Sequence, residues 1–424
     1  MSGGPDLVAV FLRWTWWRAA LHRGWWLVTS VYLVVDADLS ASELVLIGAA
    51  QAGVGLLFEV PAGVVADTLS RKWSLVLSHV LMGSAMIATG LVTDFGPLVA
   101  TQMLWGLSWT FASGADVAWI TDELDSAQDR DPRAGIPVAR GSKGPGARPR
   151  RSRAGPGRIS HVLLRSGRAQ LTGAAAGLVG VGALASLTQR STAIVLAGAA
   201  MLLLGLYVVA RFPERRFVAA PERRWSASWS ILVRGSVLVR HSRAILLMLG
   251  ATFLVNGAAA SGRLHARRLV DIGLPSDPVV WFTVLGVLTL LVGAAAFRVV
   301  EAHIDGVGTV LRGYVVACAA GAAGLVVLAA VPDEVIASGA VLLVAGIAIP
   351  LTRTLGTIWV NREASSDVRA TVHSFLAQAE YVGVIVCGLG VALVARLAGL
   401  PAALVTCAGL FALTVLLIQR LGPR

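Results

Sequence analysis

The sequence predicts an all-α membrane protein, twelve transmembrane helices arranged as two six-helix halves, and three observations predict it. Of 424 residues, 56% are hydrophobic and only 14% are charged, whereas a soluble domain carries about 25% charge. A surface facing water needs polar cover and a surface facing hydrocarbon does not, so the composition fits the second solvent. Apolar runs recur at the length that crosses a bilayer, about 20 residues at a 1.5 Å rise. The connections between these runs alternate in charge. Glycine, 46 residues in all, is enriched over the usual roughly 7%, as in membrane helices that approach closely through bare backbone.

The runs justify the count in order. The first, near 18–38, follows an arm bearing Arg13, Arg18 and Arg23. The second and third, near 44–66 and 73–92, are joined through Arg71 and Lys72, and the fourth lies near 95–119. After a long basic connection come the fifth and sixth, near 166–188 and 191–212. The second half repeats the count near 243–263, 279–300, 311–331, 335–358, 370–395 and 400–419. The halves therefore divide as 1–212 and 243–424 around a central linker, 213–242.

Charge orients the bundle. Basic residues crowd the arm, the second-to-third link, the 125–157 loop and the central linker. The link after the first run carries Asp36, Asp38 and Glu43, and the link after the ninth carries Asp333 and Glu334. Because Lys and Arg collect on the cytoplasmic side, both termini are expected in the cytoplasm of a multi-pass protein of the cell (inner) membrane. Arg263, Arg267 and Arg268 break the pattern by following the seventh run on the outer side. An early end to that run, with an amphipathic stretch on the membrane surface, accommodates them.

The formal charge of +12 is thus a topology signal, and no nucleic-acid partner is expected. Cys318, Cys387 and Cys407 all lie in apolar runs, which implies neither a disulfide framework nor a metal site. The first run lacks the basic leader and small-residue cleavage site of a secretory signal and is expected to be retained. The Pro-, Gly- and Arg-rich loop 125–157 has almost no aliphatic run to offset ordering entropy and is expected to be disordered. Its basic end can lie against anionic membrane lipids or serve topology alone. Trp225 and Trp229, at i and i+4 in the linker, suit a helix in the membrane interface or the start of the seventh run. Trp14, Trp16, Trp17, Trp25, Trp26 and Trp73 are expected as interfacial anchors near span ends. His79 and His373 are expected to be surface imidazoles.

Between the second and third runs the chain reads Gly63-Val-Val-Ala-Asp67-Thr-Leu-Ser-Arg71-Lys72. Gly63 allows a neighbouring helix to come close, Asp67 can accept bonds at a helix end, and Arg71 and Lys72 sit at headgroup level. Such a cluster can hold one conformation and release in another, or can be a static anchor. With the lead-in Phe58-Glu59-Val60-Pro61-Ala62, the stretch Ser113 to Glu123, and Asn361, Arg369-Ala370-Thr371 and Ser374, this pattern resembles the major facilitator superfamily and its drug-efflux-like members. The resemblance implies two halves around a central cavity that alternates between inward-open and outward-open states. It implies a gating role for Gly63, Asp67, Arg71, Lys72 and Asp122. Gln102 and Gly106 stand where proton-coupled efflux members carry an Arg and a Gly. Gly173, Gly177, Gly180 and Gly182 are close-packing sites in the fifth run, without the proline that antiporters place there.

Intramembrane polar groups are costly and normally face protein or a water-filled path. Glu59 lies two turns before Asp67; it can exchange a proton or sit neutral, bonded to a neighbouring helix. Asp116 faces the cavity or a helix contact. Asn256, Arg353, Glu380 and Tyr381 are further proton or substrate candidates, with Arg353 the natural partner of Glu380. Trp105 and Trp109, at i and i+4, can wall an apolar, cation-tolerant pocket or pack elsewhere.

Neither a nucleotide-binding loop nor a catalytic constellation is present in the sequence, so no enzyme activity, cofactor or metal is expected. The expected function is secondary transport, exporting small amphipathic molecules in exchange for protons, with export following from the resemblance. Import or facilitated passage of a metabolite is one alternative. A non-transporting scaffold that recruits partners through the basic loop is another.

Overall fold

A computed structural model describes residues 7–68, 70–128, 156–214, 242–304, 306–363 and 369–421. Most of the 125–157 loop and of the central linker, including Trp225 and Trp229, lies outside the described residues. Among the described residues, fourteen α-helices follow in chain order. The first half holds α1 (Leu7–Val35), α2 (Ala41–Thr68), α3 (Arg71–Thr89), α4 (Phe95–Ala112), α5 (Ala115–Gln128), α6 (Pro156–Leu187) and α7 (Arg190–Arg211). The second holds α8 (Arg243–Ala258), α9 (Leu264–Ile272), α10 (Pro278–Glu301), α11 (Val307–Ala330), α12 (Glu334–Val341), α13 (Ile349–Glu363) and α14 (Arg369–Leu421).

Eight rods among these are long and apolar enough to cross a membrane. One is α14, which is two helices meeting at Gly399, where φ is +84°. Counting both, and adding α1, α3 and the α4–α5 rod that pack into the same bundle, gives twelve rods. Leu57, Leu164, Leu187 and Leu397 are 69%, 70%, 84% and 77% exposed. Such an apolar exterior is stable against hydrocarbon and not against water.

Several rods depart from regular helix for local reasons. Gly114, at φ +75°, separates α4 from α5, a backbone conformation that favours glycine. A five-residue 3₁₀ turn, Ala259–Arg263, joins α8 to α9. The seventh rod therefore runs on to Ile272, correcting its expected end near 263, and Leu264 and Leu269 are fully buried in it. A π-helical segment, Leu342–Ala348, links α12 to α13. α5 also extends through Asp125–Gln128, residues assigned from sequence to the disordered loop.

Within the first half α1 packs on α6 and α7, and α3 on α4 and α7; within the second, α14 packs on α8 and α11. The halves meet along α2–α14 and α6–α10. Glycine makes the closest approaches: a Cβ at Gly173 or Gly177 of α6 would strike the backbone carbonyl of Trp16 or Ala20 in α1. At one end of the bundle, turns 36–40, 90–94, 188–189, 273–277, 331–333 and the Gly399 break join the rods. Asp277 and Asp333 cap α10 and α12 there by accepting from backbone N–H groups. This end is the acidic face; the end bearing the start of α1 and Arg71 is the basic face.

From Leu7 onward the N-terminal arm proves to be helix. α1 begins at Leu7, so Arg13, Arg18 and Arg23 lie within it. Three arginines depress the apolarity of any window containing them, which moved the expected boundary inward. The anchor reading also fails for part of the tryptophans: Trp14 is 1% and Trp25 0% exposed, inside the core, while Trp17 and Trp73 are exposed.

Candidate functional site

A cavity of about 750 Å³ is lined by α1, α4, α5 and α6, with Leu290 of α10 contributed by the second half. It begins near the basic end of α1 at Phe11 and reaches Arg23. Steps of three and four residues along α1 put Phe11, Trp14, Thr15, Arg18 and His22 on the wall, one helical face. Arg18 Nη1 donates to Asp116 Oδ2 at 3.3 Å. The other oxygen, Asp116 Oδ1, accepts from the Val117 backbone N–H at 2.8 Å. The Arg18 guanidinium also lies 5.1 Å from the ring centroids of both Trp14 and Trp109, within cation–π range.

The two tryptophans singled out as wall candidates separate. Trp109 is 42% exposed and lines the cavity, whereas Trp105 is 9% exposed and stacks behind it. Their rings are parallel within 18° at 6.0 Å. His22 lies 5.3 Å from each of them, and Trp25 and Trp26 extend the aromatic cluster. The cation held against Trp109 is the protein's own Arg18.

A second, polar cavity of about 260 Å³ lies in the other half and brings together Asn256, Arg353 and Glu380 with Tyr314, Thr352 and His373. Asn256 donates to the Thr252 carbonyl at 2.9 Å and accepts from Arg353 at 3.4 Å. Tyr381 lies apart, on the seam between halves, where its ring fills the space left by the missing side chain of Gly55. Glu59, one turn along α2 from Gly55, is beside it.

The motif residues form a brace among α2, α3, α5, α7 and the start of the central linker. Arg71 bonds Asp122, donates to the Ala118 carbonyl at 3.0 Å, and lies 3.9 Å from Asp67. Lys72 Nζ donates to the Val209 carbonyl at 2.8 Å. Glu214, beyond α7, accepts from Ser70 Oγ at 2.5 Å and from the Lys72 backbone N–H at 3.2 Å. Ser70 in turn caps α3 by accepting from the Trp73 N–H. Gly63 does not supply a close approach in this conformation, since a Cβ there would meet nothing within 4 Å.

On the acidic face, polar contacts tie the halves together. Arg267 donates to Asp38 at 2.7 Å and also pairs with Asp271 at 3.0 Å. Arg190 donates to Asp36 at 2.5 Å and lies 3.9 Å from Asp277. Deeper in the seam, nearly three turns into α2, Arg263 bonds Gln51 and stacks 5.0 Å from the Trp26 ring. Within the second half, Arg268 donates to the Leu328, Ala329 and Val331 carbonyls at the end of α11, where a cation is favoured. The arginines that broke the charge pattern thus point into protein and do not make a surface-lying stretch.

Arg18, His22, Arg23 and Glu214 were not singled out by sequence as site residues. The i, i+4 spacing of Arg18 and His22 is a signal of a shared face, but their arginine neighbours read as topology. His79, expected at the surface, is 1% exposed. Its imidazole fills the space among α1, α3 and α7, where helix-end position alone gives no warning of burial.

No family model matches the chain, and no curated protein does. Solved structures match over nearly its whole length. A mutant of the nucleoside transporter NupG superposes with a TM-score of 0.77 at 13% identity, covering 99% of this chain and 100% of that one. A POT family transporter in complex with a thioalcohol-conjugated peptide gives 0.68 at 11% identity, covering 97% and 95%. A bacterial homologue of the human lysosomal transporter Spinster, inward-facing and occupied, gives 0.63 at 14%, covering 98% and 94%. At these identities the likeness is one of fold, and the fold is the two-half, major facilitator arrangement.

Proposed function

We propose that this chain is a secondary transporter that carries small amphipathic molecules through the membrane by alternating access. The observation that carries the reading is the cavity of about 750 Å³ reaching the basic face while contacts such as Arg267 to Asp38 tie the halves on the acidic face. Its volume suits a drug-sized ligand, and the exposed faces of Trp109 and Leu171 give an apolar body something to lie against. With basic residues inward, this state is inward-open, both termini are cytoplasmic, and the membrane is the cell membrane. The solved neighbours, a nucleoside transporter and a POT family transporter holding a peptide conjugate among them, support the transport class, and the apolar wall of the cavity supports the amphipathic substrate.

Export in exchange for protons is the finer proposal. It rests on the drug-efflux-like motif and on Glu59 and Glu380, two carboxyl groups within membrane rods, where protonation can bias a conformational equilibrium. Uptake of a polar metabolite is the competing direction, favoured by the polar cavity around Asn256, Arg353 and Glu380.

The test is flux of a substrate panel in proteoliposomes, with and without an imposed pH gradient, comparing Glu59→Gln and Glu380→Gln. Gradient-driven flux is expected to fall in at least one variant while exchange without a gradient persists. Gradient-driven flux unchanged in both overturns the proton role, and absence of flux for the whole panel overturns transport.

A further inference from the structure

We propose that the large cavity selects organic anions with a flat apolar body, the anionic group being held between Arg18 and Arg23. This names the substrate class of the transport site and rests on that reading for the step from binding to carriage.

Depth comes first. Arg18 and Arg23 stand 11 and 16 residues after the first residue of α1, Leu7, about 16 and 24 Å along a helix of 1.5 Å rise. In a 29-residue rod, that places both in its middle portion, where a guanidinium is costly unless it is paired or faces a water-filled path. Both line the cavity.

Their pairing is incomplete. Among the described residues Arg18 makes one hydrogen bond, to one oxygen of Asp116, out of the five N–H donors that a guanidinium presents. Arg23 has no ion pair or hydrogen bond among the described residues. Asp116 is the lone acidic side chain on the cavity wall among the described residues, so two guanidinium groups face one carboxylate. A carboxylate, sulfonate or phosphate brings the balancing charge, and its geometry matches the guanidinium fork.

The walls decide against a cation. Aromatic faces attract cations, but Trp14 and Trp109 already have Arg18 at 5.1 Å. A cationic ligand entering there meets like charge. The apolar part of an anion has Trp109, Leu171 and Leu290 to lie against, of which Trp109 and Leu171 are 42% and 58% exposed.

The test is equilibrium binding to the full chain in lipid nanodiscs at neutral pH, using three ligands of one shape: naphthaleneacetate, neutral naphthaleneethanol and naphthaleneethylammonium. The anion is expected to bind about tenfold or more tightly than either of the others. Arg23→Gln is expected to erase that preference and Arg23→Lys to retain most of it. Equal or tighter binding of the neutral or cationic ligand, a preference that survives Arg23→Gln, or failure of all three to bind overturns the proposal. If Arg23→Gln does not fold, the ranking of the three ligands on the natural chain decides. Counterflow of the same ligands in proteoliposomes separates the two readings. Selective binding without carriage keeps the anion site and sinks transport, whereas carriage indifferent to charge keeps transport and sinks the anion site.

Discussion

Trp14 donates its indole N–H to Nε2 of His79 at 3.1 Å, across the interface between α1 and α3. His79 Nδ1 lies 2.7 Å from the Leu75 carbonyl, so the proton sits on Nδ1 and leaves Nε2 free to accept. Phe212 packs edge-on against the same indole, with centroids 5.6 Å apart. Trp14→Phe keeps an aromatic ring but strands the His79 acceptor in the interior. The expected cost is about 1–3 kcal/mol, read as a lower melting temperature in detergent.

Close packing of α1 on α6 gives a paired prediction. Gly177→Ala drives a methyl group into the Ala20 carbonyl, whereas at Gly180 a Cβ meets nothing within 4 Å. Gly177→Ala should destabilise by about 1–3 kcal/mol, and Gly180→Ala should be neutral or slightly stabilising. Thermal melting of the two variants beside the natural chain checks the contrast; equal melting temperatures would contradict the packing account.

The brace around Arg71 predicts an effect on rate over affinity. Its partners Asp67, Ala118 and Asp122 all belong to the first half and stand away from the substrate-sized cavity, apart from their neighbour Val117 on its wall. Arg71→Gln and Asp122→Asn should each slow flux by about tenfold, equivalent to about 1.4 kcal/mol on the barrier, with ligand affinity within a factor of about two. Parallel flux and binding measurements distinguish this from a loss of affinity.

Breaking the acidic-face tie between Asp38 and Arg267 should favour opening on that side. Asp38 is 84% exposed in its side chain, and an exposed pair is worth about 0.2–1 kcal/mol, so the population shift should be modest and weaken in salt. Ser30→Cys, placed in the small inter-half pocket beside Arg263, reports it in a chain whose 3 native cysteines are replaced. Labelling from the acidic side should speed up in Asp38→Asn and in Arg267→Gln. The double variant should add little to either, because both remove the same contact.

The rod count and the division into halves were legible because apolarity is summed over whole spans, so a few charged residues do not hide them. The residues Asp67, Arg71 and Lys72 are close in sequence, so a local pattern can bring them out, and their contacts fall within one corner of the fold. The wall of the large cavity was only half legible. Asp116 stands out as a carboxyl group in an apolar run, but Arg18 and Arg23 fall among other arginines at a span boundary, where the same residue type normally meets headgroups. The reverse error occurred at Arg263, Arg267 and Arg268. Counting charges treats every arginine as facing lipid, whereas these are satisfied by Gln51, by Asp38 and Asp271, and by the α11 carbonyls. Partner choice at that distance in sequence is a tertiary property, and no local pattern encodes it.

Turns on the acidic face run to five residues at most, and the last pair of rods is joined at Gly399 with no intervening loop. So little chain emerges on that side that a protease or antibody added there finds almost nothing to grip. A fluorescent or affinity reporter is best spliced into 129–155 or 215–241, where length is available, while an insertion at 399 would have to unwind a helix end to make room.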